Sequence, residues 1–133
     1  MIVRVALVAV CVAAVAFGVT RLHKDDTCES ARTAIVTALF HHQEPAGGLA
    51  HQQRKLVDNC RDRSVMAFVS TVETTARRYG PAIALARRVT REEPSNRIGW
   101  IALAQALKTS DPAGSRAAVA RAKALNPRGA VPL

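Results

Sequence analysis

An all-α fold is predicted by three features of this chain. Alanine supplies 25 of the 133 residues, apolar side chains recur every three or four positions beyond Asp26, and two later runs stop at Pro94 and Pro127. Alanine is the strongest helix former, and β-branched runs, which would favour strands, are rare past residue 20. The core is expected to be thin, because alanine buries far less apolar area than leucine or phenylalanine and aromatic residues make up only 4% of the chain. A formal charge of +9 rests on 15 Arg and 4 Lys against 10 acidic residues. High-GC coding tends to produce such an Ala- and Arg-rich composition; the alternative is attraction to anionic lipid, wall polymer or nucleic acid.

Residues 1–24 are expected to stand apart from the fold, as a transmembrane anchor or a signal peptide. The segment MIVRVALVAVCVAAVAFGVTRLHKDD is apolar without a break from Val5 to Val19, between Arg4 and the trio Arg21, His23 and Lys24. That run is at the upper limit for a signal-peptide core and short of the roughly 20 residues that cross a bilayer. Extended from Ile2 to Thr20, with Arg4 reaching back to the headgroups, it is long enough to span. Ala16-Phe17-Gly18 fits a cleavage site. Acylation at Cys11 fits poorly, because Val10 stands where a small residue is required. The flanking charges are similar and leave orientation open. The expectation is a retained anchor, with secretion after cleavage as the alternative.

Residues 25–61 read as a helical hairpin. Asp26 and Glu29 have the spacing of a helix start, and Ala31, Ala34, Ile35, Ala38 and Leu39 then mark one helix face. Pro45, Gly47 and Gly48 break the chain, and a second helix carries Leu49, Gln53, Leu56, Val57 and Cys60. Cys28 and Cys60 lie at similar distances either side of Pro45, so in an antiparallel hairpin they meet at the open end. That suits a disulfide, which belongs to an oxidising compartment and hence to the outer side of the membrane. The alternative is two unrelated buried thiols.

Residues 62–128 read as two further helix pairs, with 129–133 as a disordered tail. The first pair carries Val65, Phe68, Val69, Val72 and Ala76, then Ala82, Ala86 and Val89 before Pro94; the second carries Trp100, Leu103, Ala104 and Leu107, then Ser115, Val119 and Ala122 before Pro127. The two prolines are 33 residues apart, a period that signals stacked helical units. The alanines at 104, 118 and 122 are expected where helices approach closely.

Trp100, Leu103, Ala104 and Leu107 resemble the W-x2-L-G-x2-Y pattern of the tetratricopeptide repeat, with Ala for Gly and Leu for Tyr; Val119, Ala122 and Pro127 match its later positions. Ser115 departs from the usual alanine, and the upstream unit matches only through Ala82, Ala86, Val89 and Pro94. The resemblance implies a short stack of about six helices, with residues 25–61 as a divergent first pair and Trp100 filling the space beside the close-packed alanines. It also implies a groove lined by first helices that binds a protein partner, at Arg63, Met66, Ser70, Glu73 and Thr74 in one unit and Ile98, Ile101, Gln105 and Lys108 in the next.

No catalytic signature is present: there is no phosphate-binding glycine loop, nucleophile elbow or HExxH, and no cofactor is expected. His41, His42, Glu44 and His51 cluster near the first turn and read as a solvated loop, with a zinc or copper site as the other possibility. Arg77, Arg78, Arg87 and Arg88 flank YGPA as a candidate basic patch, most simply a solvated face. Without interleaved aromatics they do not predict nucleic acid binding. The expected function is non-enzymatic: a membrane-tethered scaffold that binds a protein partner outside the cytoplasmic membrane. The alternative is a basic envelope protein that binds anionic lipid or wall polymer.

Overall fold

The structure, a computed structural model, describes Val19, His23 and residues 26–132. Among these residues there are six helices and no strand. Helix α1 covers residues 26–41, followed by α2 (Gly48–Asn59), α3 (Arg63–Thr75), α4 (Tyr79–Glu92), α5 (Arg97–Leu107) and α6 (Pro112–Leu125). The apolar segment 2–20 lies outside the described residues apart from Val19; no described helix is long and apolar enough to cross a membrane.

Local chemistry sets each boundary. Gly47 and Gly48 both adopt left-handed φ angles, 76° and 78°, which reverse the chain between α1 and α2 at little steric penalty. Asp62, Asn96 and Asp111 cap α3, α5 and α6, each carboxylate or amide oxygen accepting a backbone N–H of the first turn. Helix α3 ends in a Schellman closure: Arg77 is left-handed (φ 61°), and Arg78 N–H donates to Glu73 O at 2.8 Å. Helices α4 and α6 each end two residues before a proline, at Glu92 and Leu125, because proline disfavours helical geometry in the residue before it.

Cys28 and Cys60 form a disulfide (S–S 1.99 Å, Cα–Cα 4.9 Å) that joins the start of α1 to the residue capping α2. Helix α3 packs on α4, α4 on α5, α5 on α6, and α3 also touches α5. Ile35, Leu56 and Cys60 belong to the same buried cluster as Met66, Val69, Val89 and Leu103, so the hairpin and the later helices share one core.

That core is held by close approach more than by bulk. Ala82, Ala86, Ala104 and Ala122 are fully buried. A Cβ added to Gly99 would lie 2.5 Å from Val89 Cγ1, so α4 and α5 meet where only hydrogen fits. Two buried hydroxyls tie helix to helix: Ser70 Oγ donates to Ala82 O, and Ser115 Oγ to Ala104 O, both at 2.8 Å. The second bond explains the serine where the repeat pattern favours alanine. Lys108 N–H bonds to Gln105 O, leaving Ala104 O for the hydroxyl. Trp100 is only half-buried, its indole N–H donating to Pro94 O at 2.9 Å; it braces the α4–α5 turn, whereas the sequence suggested a role as interior filler.

Helix α3 is rotated from its expected setting. Phe68 is 48% exposed and Ala76 is exposed, whereas Met66, Ser70 and Glu73, expected in a partner groove, are fully buried. The reason is register: Met66, Val69, Ser70 and Glu73 each precede Trp100, Leu103, Ala104 and Leu107 by 34 residues and occupy the corresponding inward face.

Two stability outcomes follow from this packing. Gly99→Ala and Ala122→Leu each overpack a helix contact and lower the unfolding free energy by about 1–3 kcal/mol, while Ala124→Leu, on the exposed side of α6, leaves it within about 0.5 kcal/mol. Urea unfolding with the disulfide intact measures all three; an Ala122→Leu chain as stable as wild type would overturn the packing. Replacing Cys28 and Cys60 together by Ser removes a cross-link spanning 32 residues and lowers stability by about 3–4 kcal/mol in the chain-entropy treatment. A non-reduced digest of the native protein yields the two cysteine peptides joined.

Candidate interaction face and the charges around it

Helix α5 presents Arg97, Ile98, Ile101, Gln105 and Lys108 on the side away from its buried residues, a stripe at helical spacing. Ile98 is 52% exposed, a large apolar side chain with no cover. Thr71 of α3 faces Gln105 of α5, the two side-chain oxygens 3.5 Å apart, so the stripe continues onto α3. There the accessible residues are Phe68, Thr71 and Thr75. A cleft of about 190 Å³ between Phe68 and Arg32, Thr33, Val36 and Thr37 carries the surface on to α1.

Of the groove residues expected from sequence, the α5 set lies on this face and most of the α3 set does not. Met66, Ser70 and Glu73 are core. Arg63 donates to Cys60 O and pairs with Glu92 Oε2 at 2.6 Å, which binds it to the end of α4. Thr74 is half-buried and donates back to Ser70 O. The 34-residue correspondence was the available signal for the buried Met66, Ser70 and Glu73; it aligns Phe68 with the buried Ala102, so it does not foretell the exposure of Phe68.

The described residues of the expected tail, 129–132, meet the same stripe through two side-chain bonds. Arg97 Nη2 donates to Ala130 O, and Gln105 Nε2 donates to Pro132 O at 3.1 Å. A Cβ on Gly129 would come within 2.8 Å of Arg97 Nη2, so the guanidinium rests against that glycine.

The four arginines of the candidate basic patch divide between the start and the middle of α4. Arg77 and Arg78 precede α4, whereas Arg87 and Arg88 sit about 12 Å further along it at 1.5 Å per residue. Arg78 Nε is 3.0 Å from Glu73 Oε2 and Arg88 Nε is 2.8 Å from Glu92 Oε1, so two of the four charges are already paired. Arg88 instead joins Arg54 and Arg91 around a cleft of about 510 Å³ between α2 and α4, floored by Val57, Pro81, Ala84 and Leu85. His41, His42 and Glu44 are exposed, and His51 is half-buried beneath Gly47. Among the described residues, no three His, Cys, Asp or Glu side chains are placed to hold a metal ion.

Comparison with known proteins finds no matching family model, no matching curated protein and no matching solved structure.

Glu73 is the one buried ionisable group on the inner side of α3. Its carboxylate accepts from Gln53 Nε2 of α2, and Arg78 lies beside Oε2 without an N–H aimed at it, so that buried oxygen has no hydrogen bond. Burial pushes the Glu73 carboxyl above its ordinary value of 4.5, while Arg78 and the Gln53 hydrogen bond pull the other way and do not offset it. With the folded value raised, the native state binds more protons than the unfolded chain from about pH 4.5 upward. Glu73's contribution is therefore fully present below that pH and is lost as pH rises through the folded value. Glu73→Gln should thus gain stability relative to wild type as pH is raised from 4 to 8 in paired urea titrations. A difference that stays flat or shrinks would mean that the Arg78 pairing outweighs burial.

Proposed function

We propose that the chain is a non-enzymatic interaction module. In this reading it is a short tetratricopeptide-like stack of antiparallel helix pairs that presents the α3/α5 face to a protein partner. The observation that carries the reading is the pair of exposed apolar side chains Phe68 and Ile98 with the half-buried Ile101, on helices whose Thr71 and Gln105 side chains meet. Apolar anchors beside side-chain amides and hydroxyls suit an extended peptide, whose backbone offers both acceptors and donors. The 34-residue correspondence between α3 and α5, and the packing of α3 on α5 as well as on α4, support the repeat assignment. The Cys28–Cys60 disulfide supports a location outside the cytoplasm, where such bonds persist. The apolar run before Arg21 supports tethering to the membrane through residues 2–20.

The arginines around the α2/α4 cleft favour a second reading, a surface for anionic lipid or wall polymer. Photocrosslinking distinguishes the two. A benzophenone side chain at position 98 captures a protein in intact cells, one at Ala124 does not, and capture survives 0.5 M salt because the contact is apolar. Capture from position 54 but not 98, abolished by salt, would replace the first reading with the second.

A further inference from the structure

We propose that residues 129–132 are a built-in competitor for the α3/α5 face: in the free chain this segment takes the Arg97 and Gln105 hydrogen bonds along its edge and leaves Ile98 and Phe68 open, and an extended segment of a partner protein must displace it to use those donors. The proposal rests on the reading of that face as a partner site and adds its regulation.

The segment is held as an extended peptide ligand would be held. Its side chains are small, and its carbonyls do the bonding: Ala130 O accepts from Arg97 and Pro132 O accepts from Gln105, two helical turns further along α5. The chain therefore runs along α5 in the direction of the helix. Pro132 biases Val131 toward extended backbone, so the segment is partly preorganised for this course. Gly129 marks a close contact: a Cβ there would meet the ends of the Arg97 and Asn126 side chains, which must shift to admit it. Val131 is half-buried.

The hold is weak by construction, with two side-chain donors and one half-buried valine. Tethering compensates, since a segment attached to α6 by a few residues is present at an effective concentration of the order of millimolar. A competitor of this kind lowers a partner's apparent affinity by the fraction of time the face is free. If the face is free about a tenth of the time, that is about tenfold. The ligand class is thus an extended segment with free backbone carbonyls and small apolar side chains, matching Gly129 to Pro132 in form.

The probe is the fluorescein-labelled peptide Asn-Pro-Arg-Gly-Ala-Val-Pro-Leu, the chain's own residues 126–133. It is titrated by fluorescence anisotropy into the full chain, a chain ending at Arg128, and the full-length Gly129→Val variant. Gly129→Val crowds the segment against the Arg97 and Asn126 side chains with a branched group and so loosens it without shortening the protein; it stands in for the deletion if the shortened chain misfolds. The expected result is binding to the shortened chain and to Gly129→Val about tenfold tighter than to the full chain. Gln105→Ala in the shortened background should abolish that gain. Equal affinity for all three chains, or no binding to either opened form, overturns the proposal. So does a full chain that sediments as a dimer while the shortened chain is a monomer, because the segment would then lie on a second copy. Position-98 crosslinking in the shortened chain separates the two readings. Capture equal to that of the full chain defeats the competitor alone, and capture from neither defeats the face as a partner site.

Discussion

Close approach of helix backbones is the constraint from which the rest of this structure follows. With so few large side chains, the interior cannot be filled by bulk, and it is closed by bringing helices together at Gly99, Ala104, Ala118 and Ala122. Small residues at the contact leave little apolar area to stabilise it. The ties that compensate are specific: Ser70 to Ala82 O, Ser115 to Ala104 O, and the Cys28–Cys60 bond. Residues 70 and 104 correspond across the two pairs, yet the hydroxyl sits on the first helix in one and on the second in the other. The same helix–helix contact is thus closed with donor and acceptor exchanged.

Most of the inward face was readable from sequence because it is apolar at helical spacing. Ala31, Ile35, Leu56, Ala82, Ala86, Val89, Leu103, Ala104, Leu107 and Ala122 are buried where their periodicity placed them. Helix α3 was not readable in that way. Its inward face contains a serine and a glutamate, residues that composition assigns to solvent, while its outward face carries Phe68. The 34-residue register with α5 accounts for the inward serine and glutamate, placing Glu73 where the second unit has Leu107, but it sets Phe68 against the buried Ala102 and leaves its exposure unsignalled. The C-terminal segment was illegible for another reason. Pro127, Gly129 and Pro132 read as a loose end, and nothing local signals that Arg97 and Gln105 will take two of its carbonyls.

The positive charge divides into two populations. Arg63, Arg78 and Arg88 are bound to Glu92, Glu73 and Glu92 and join elements of the fold. The pairing of Arg63 and Arg88 on one carboxylate fixes the start of α3 against the end of α4. Partly exposed pairs of this kind contribute little individually, and their effect is to set position more than stability. Arg54 and Arg91 remain beside the α2/α4 cleft, on a surface different from the α3/α5 stripe. A charge-driven contact and an apolar peptide contact therefore use separate parts of the molecule.

The bonds at the helix ends also give the α3/α5 face a direction. Cys28 joins Cys60, Arg63 donates to Cys60 O and pairs with Glu92, and Arg97 begins α5 only a short turn beyond Glu92. The starts of α1, α3 and α5 are thus linked at one end of the molecule. The C-terminal segment reaches α5 at that end, through Arg97, and its last described bond is at Gln105, with Lys108 exposed beyond it. On the competitor reading, an incoming segment meets open surface first near Lys108 and Thr75. It would take Gln105 from Pro132 before it reaches Arg97. Displacement would then proceed one bond at a time, from the end of the tail back toward Gly129, and no single step would have to break the whole contact.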